Sequence, residues 1–216
     1  MSAPGSTNAL RSATFDNLQL NAGIFIKNFD YKPASSPPGD STALKTLITG
    51  IVNGTVTGKG DVLGATRGGG TFNVTRDIRT PDIDGMRYKF KKGDFIDSVD
   101  AYISTTLVEI TPENLCAAFG VSVPSAVGKK TTITLPTALT DNSYMTNVCW
   151  VGDLADGRVV LVCLNNAINT ADISLTFSDK SEGTLAVEFH ATQAAVNDYD
   201  NAPFEVVFFD NPAQSP

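Results

Sequence analysis

The chain has 216 residues, of which 42% are hydrophobic and 18% charged, with 18 glycines and 11 prolines as punctuation. That length supports one sizeable core, so a single domain over 1–216 is expected, and no apolar run approaches the ~18 residues of a membrane helix. The net charge of −7 is unevenly held: residues 1–92 carry 12 Lys/Arg against 7 Asp/Glu, and residues 93–216 carry 4 against 16. A two-signed chain of this kind either presents one surface region to another or reflects a chance partition of charge.

The opening stretch, Met1-Ser-Ala-Pro-Gly-Ser-Thr-Asn-Ala-Leu-Arg11, lacks a basic start followed by an apolar core, so no secretory leader is expected. Residues 1–14 are small and polar and read as a flexible N-terminal arm. Leu18-Gln-Leu-Asn-Ala-Gly-Ile-Phe-Ile-Lys-Asn-Phe29 reads as one long strand, or a strand pair, with an irregularity at Gly23. The Pro/Ser-rich run Lys32 to Asp40 excludes helix and central strand, which makes 30–41 a long exposed loop. Ser41 or Thr42 then caps a short turn through Leu44, Leu47 and Ile48, closing at Gly50.

Asn53-Gly54 marks a tight turn. Gly58-Lys59-Gly60-Asp61 and Arg67-Gly68-Gly69-Gly70 invite a phosphate-loop reading, but Lys59 is followed by Gly60 rather than Ser or Thr, and no helical pattern follows. Turn chemistry accounts for them better. Thr71 to Arg79 alternates, with Phe72, Val74 and Ile78 on one side. After a turn at Thr80-Pro-Asp-Ile-Asp-Gly85, the segment Met86 to Gly93 returns as a strand, its Met86, Tyr88 and Phe90 alternating with Arg87, Lys89 and Lys91. Basic and aromatic residues interleave here, as in nucleic-acid binders. A period of two turns the aromatics toward the sheet and leaves the lysines to meet an acidic protein surface equally well.

Residues 97–120 make the clearest structural statement. Val99, Ala101, Ile103 and Leu107 fall on one face, with Asp100, Ser104 and Thr106 on the other, which is the pattern of a half-buried strand. The period then changes. Thr111 supplies an N-cap, Pro112 needs no N–H partner, Glu113 suits the helix N-terminus, and Gly120 supplies the stop. Residues 120–142 are Ser/Thr/Pro-rich with one strand-like piece, Thr131 to Leu135. Asn147–Val151 and Arg158–Leu164 flank Ala155-Asp156-Gly157 as a hairpin, Ala171–Phe177 and Thr184–Ala191 form a second, and Pro203–Phe209 is a last strand. No period of about 20 to 50 residues repeats, which excludes a solenoid.

Chemistry is sparse. Cys116, Cys149 and Cys163 are odd in number and widely spaced, and read as buried reduced thiols of a cytosolic product. His190 is the single histidine, with no clustered Cys or carboxylate to complete a zinc set and no Gly-x-Ser-x-Gly elbow in the chain. No catalytic residue, cofactor or metal is therefore expected, and the chain does not read as an enzyme. Trp150, the single tryptophan, sits among apolar strand residues and reads as core.

The order of pieces resembles the major tail tube proteins of long-tailed bacteriophages and prophages of Gram-positive type. Gly64-Ala-Thr-Arg-Gly-Gly-Gly-Thr-Phe-Asn-Val74 leads into a strand, and Ile83-Asp-Gly85 precedes a basic return arm. The junction Leu107-Val-Glu-Ile-Thr-Pro-Glu-Asn-Leu115 follows, with a late acidic turn, Asn197-Asp-Tyr-Asp-Asn-Ala-Pro-Phe204, before the terminal strand. The resemblance is strongest from about 18 to 120, and residues 120–142 depart from it. It implies a mainly β fold of two packed antiparallel sheets (a β-sandwich or half-barrel), with a short flanking α-helix and long loops at 30–41 and 64–94 for assembly. It further implies hexameric rings stacked into a hollow tube in the virion tail, assembled in the bacterial host cytoplasm. The implied partners are further copies of the chain and the tape measure, tail tip and terminator proteins. DNA transits the lumen without specific binding, and no membrane is involved. On this reading the contact candidates are Arg76, Arg79, Arg87, Lys89, Lys91 and Lys92 on the basic side, and Asp198 and Asp200 on the acidic side. A terminator or hub ring, and a monomeric β-sandwich that binds a ligand, are the alternatives.

Overall fold

The computed structural model describes residues 14–19, 21–32, 37–177, 179–180, 182–195 and 201–212. Nearly all of the 1–14 arm and both acidic candidates, Asp198 and Asp200, lie outside the described residues. The elements run β1 (Ile24–Lys27), α1 (Ser41–Val52), β2 (Asp61–Val62), β3 (Thr66–Arg79), β4 (Phe95–Leu107) and α2 (Pro112–Phe119). A 3-10 turn (Asp141–Ser143) follows, then β5 (Met145–Asp153), β6 (Val159–Asn169), β7 (Leu175–Thr176), β8 (Thr184–His190) and β9 (Phe204–Phe209). The protein is mainly β with short helices. All strand pairings are antiparallel and link into one nine-stranded sheet in the order β2-β1-β5-β6-β8-β4-β3, with β7 on β8 and β9 on β6.

Strand β6 makes that single sheet fold over a core. Its Val159–Leu164 half pairs with β5 and β9, while its end pairs with β8 through Ile168 and Asn169. Between the two halves Asn166 takes a left-handed backbone (φ 46°), a conformation that asparagine tolerates better than most residues. The first core lies between the halves and joins Phe25, Val148, Val162 and Leu164 of one to Ala101, Ile103, Leu107, Leu185 and Phe189 of the other. A second core lies on the outer face of β5 and β6, where Cys149, Val151, Leu161 and Cys163 meet Leu44 and Ile51 of α1. Strands buried on both faces read as continuous apolar runs, which is why Val159–Leu164 shows no alternation.

The strand-to-helix junction forms as its sequence predicts. Thr111 Oγ1 accepts from Asn114 N–H at 3.2 Å, Pro112 opens α2, and Gly120 closes it at φ 63°. Buried Asn114 does more than the pattern showed: its Nδ2 donates to the Leu63 and Glu109 carbonyls, each at 2.9 Å, tying helix to strand ends. Gly23 has φ 71°, and a Cβ there would lie 2.3 Å from the Trp150 indole nitrogen, so the irregularity is required by the packing of that tryptophan. The indole donates to Ala22 O at 2.9 Å and packs against the first core.

Several expectations are corrected. The turn at 41–50 is a full 12-residue helix capped by Asp40, whose carboxylate accepts from Ala43 N–H at 2.8 Å. Gly50 sits inside it, tolerated because Leu44 and Ile51 anchor the helix on the second core. The long first strand shrinks to Ile24–Lys27, and Thr131–Leu135 forms no strand. Residues 66–79 are strand rather than assembly loop, which leaves 80–94 as the connection, and Met86–Gly93 is irregular rather than a returning strand. Cys149 and Cys163 stand directly opposite each other on β5 and β6, Cα atoms 4.1 Å apart, and are joined as a disulfide, whereas Cys116 is free. The cysteines therefore no longer speak for a reducing compartment.

Candidate functional site: a ribbon with an uncovered inner face

Strands β3 and β4 pair along most of their length, and β4 alone also pairs with β8, from Leu107 only as far as Tyr102. Past that point the two strands run on as a ribbon, and Val74–Arg79 and Phe95–Asp100 are all exposed. On the face continuous with the first core, the register sets Phe72 opposite Ile103, Val74 opposite Ala101, Arg76 opposite Val99 and Ile78 opposite Ile96. A register shift between Asp77 and Ile78 leaves Asp97 as the extra residue, and this bulge returns Ile96 to the apolar face. The opposite face carries Asn73, Tyr102, Thr75, Asp100, Asp77 and Ser98. The alternation that builds the core thus continues outside it: Ile78 and Ile96 are 51% and 57% exposed, and Val99 is 44% exposed.

The other half of the sheet has a matching gap. On β9, Val206 and Phe208 stand opposite Val162 and Val160, on the side of the first core, yet they are 44% and 59% exposed. Phe72 and Phe204 meet across the interior with ring centroids 5.8 Å apart. Beyond that contact a cleft of about 740 Å³ opens, lined by Ile96 and Val99 of the ribbon and by Ala191, Ala202 and Pro203. Among the described residues the folded sheet does not close on itself along this margin. Both flanks are also open in hydrogen bonding among the described residues: β3 ends the strand order with 14 residues, and β9 pairs with β6 alone.

The six basic candidates fall on or beyond this ribbon. Arg76 lies within the apolar face. Arg79 is the one of the six with an ion pair among the described residues, Nε to Asp97 Oδ2 at 2.9 Å. Arg87, Lys89, Lys91 and Lys92 are exposed in the 80–94 connection, with Lys92 at φ 71°. The expected shielding of the aromatics does not occur, since Tyr88 and Phe90 are 84% and 68% exposed. Without strand pairing over 86–93, no pleat turns them inward. The structure brings the six cations to one projecting element, and the acidic candidates Asp198 and Asp200 lie outside the described residues.

The glycine run is part of the ribbon's root rather than a phosphate site. A register shift falls between Thr66 and Gly70, with Gly68 and Gly69 at φ 77° and 73°, and a Cβ on Gly70 would lie 2.6 Å from the Phe25 ring. Lys59 pairs with Asp30 at 2.7 Å. His190 sits on the polar face at the root, its Nδ1 2.8 Å from Asp100 and its Nε2 3.0 Å from Glu188. Sequence reading missed this cluster, because its members come from β4 and β8 and only the register makes them neighbours. The described residues hold no group of three or more His, Cys, Asp or Glu placed to bind a metal ion. No family model matches the chain, and no curated protein matches it.

Proposed function

We propose that the chain is a self-assembling structural subunit whose copies join in hexameric rings and stack into the hollow tail tube of a long-tailed phage. The observation that carries the assembly reading is the uncovered inner face, Ile78, Ile96 and Val99 on the ribbon with Val206 and Phe208 on β9. Large apolar side chains on the core side of a sheet, left half-exposed beside open strand edges, are a liability unless another chain covers them. Covering each of the three ribbon residues contributes on the order of 1 kcal/mol, and edge pairing adds direction. Assignment to a tail tube comes from the resemblance of the sequence, with which a projecting basic ribbon and an acidic second half agree. In that assembly Arg87, Lys89, Lys91 and Lys92 meet an acidic surface of the adjoining ring, and the late turn with Asp198 and Asp200 supplies such charge. An acidic lumen lets DNA slide without sticking to it. The chain works in the virion tail, beside tape measure, tip and terminator proteins, and performs no catalysis.

Negative-stain electron microscopy over a range of protein and salt concentrations tests this. Hollow tubes or stacked rings are expected. Isolated closed rings would move the assignment to a terminator or hub, and a monomer that persists after addition of a tail-tip nucleus would remove the tube.

A further inference from the structure

His190 is the last residue of β8 and the only histidine of the chain. It stands opposite Tyr102, the last residue of β4 in register with β8, and one more backbone bond, Ala191 N–H to Ala101 O at 2.9 Å, ends the contact. Beyond this point β4 belongs to the ribbon. The imidazole lies on the Tyr102 ring, centroids 4.8 Å apart and planes 16° from parallel. Its two nitrogens face two carboxylates, Asp100 at 2.8 Å and Glu188 at 3.0 Å. The charged or titratable groups facing it are thus Asp100 and Tyr102 from β4 and Glu188 from β8; on β6 its partner in register is the uncharged Ile168.

An ionised carboxylate only accepts hydrogen bonds, and a neutral imidazole has one N–H to give. Both contacts exist together only when the ring carries two protons. Deprotonation leaves one nitrogen lone pair facing a carboxylate, and one contact must open. Glu188 lies on the same strand as His190, so its contact joins nothing across strands, whereas Asp100 reaches from the ribbon. Asp100 is also the more exposed of the two carboxylates, 50% against 36%, and water replaces its lost bond more readily. We infer that His190 is a proton-operated tie at the root of the ribbon: charged, it bridges Asp100 and Glu188 and anchors β4 to β8; neutral, it releases Asp100.

Burial alone pushes the imidazole pKa down, but the hydrogen bonds it donates to Glu188 and Asp100, and then their charges, outweigh it and hold the group above its ordinary value. Because the folded-state value is raised, the tie is complete below the ordinary histidine pKa and fades as pH rises through the raised one. That this then tunes assembly rests on the self-assembly reading; the tie itself does not.

Exchange of the imidazole Cε1 hydrogen, followed by mass spectrometry, reports the pKa of this one histidine whether the protein is a monomer or a tube. Backbone amide exchange, corrected for its intrinsic pH dependence and measured below the assembly concentration, reports the ribbon. The pKa is expected above the ordinary histidine value and should fall in both Asp100→Asn and Glu188→Gln. Amides of 95–101 should exchange several-fold faster above that pKa, with 102–107 unchanged, and Asp100→Ala, which removes the cross-strand partner altogether, should show the fast ribbon at every pH. An ordinary or lowered pKa, or a ribbon that exchanges equally on both sides of it, would overturn the tie. Microscopy showing no tubes would leave these readouts standing.

Discussion

Strands β5 and β6 and the distal ribbon of β3 and β4 use the same kinds of side chain to opposite ends. In β6, Val159, Leu161, Cys163 and Leu164 are fully buried, because α1 covers one face and the other half of the sheet covers the second. In the ribbon, Ile78, Ile96 and Val99 keep the inward alternation of a core strand yet stay about half-exposed. The first region spends its apolar surface on folding the subunit. The second withholds it, so that association and folding draw on different residues and separate substitutions can uncouple them.

The largest effect is expected in the body. Phe189→Ala, at a fully buried site of the first core, should destabilise the subunit by about 3–5 kcal/mol in denaturant unfolding. A cost under about 1 kcal/mol would show that the two halves of the sheet are not packed together as described. The Cys149–Cys163 link, 14 residues apart in sequence, should contribute about 3 kcal/mol, lost in a double change to alanine. Titration of the denatured, unreduced protein should find one thiol, Cys116, and three after reduction; three at the outset would remove the link. In the ribbon, Ile78→Ser with Ile96→Ser should change subunit stability by no more than about 0.5 kcal/mol per site while abolishing assembly in sedimentation. A comparable loss of stability would mean that the ribbon belongs to the subunit's own core. Smallest in stability is Lys89, Lys91 and Lys92 to Glu, which should leave the unfolding midpoint in place and prevent ring stacking. Tubes of normal length from that triple mutant would remove the basic arm from the interface.

How much was legible beforehand follows from the range of the forces involved. Caps and turns are local: Thr111, Pro112 and Gly120 bounded α2, and Ala155-Asp156-Gly157 marked the β5–β6 hairpin, because each satisfies or frees a backbone group within a few residues. Alternation showed that Val99 to Leu107 was a strand with one apolar face. It could not show where along that strand the cover stops, since burial at Ala101 and exposure at Val99 depend on how far β8 reaches. The same limit explains 86–93, where a period of two was present but no strand among the described residues pairs with it.

The sequence by itself thus determined the class of the fold, the capped helix after β4, most of the strands and the basic composition of the arm, all of which rest on local dihedral preferences and on the spacing of apolar residues. Tertiary structure alone decided that β6 bends from one half of the sheet into the other, that Cys149 meets Cys163, that His190 lies between Asp100 and Glu188, and that an apolar face stays half-exposed at the sheet's margin. Each of these joins residues far apart in the chain, and only long-range strand register, fixed by burial of the whole core, brings such residues within hydrogen-bonding or van der Waals reach.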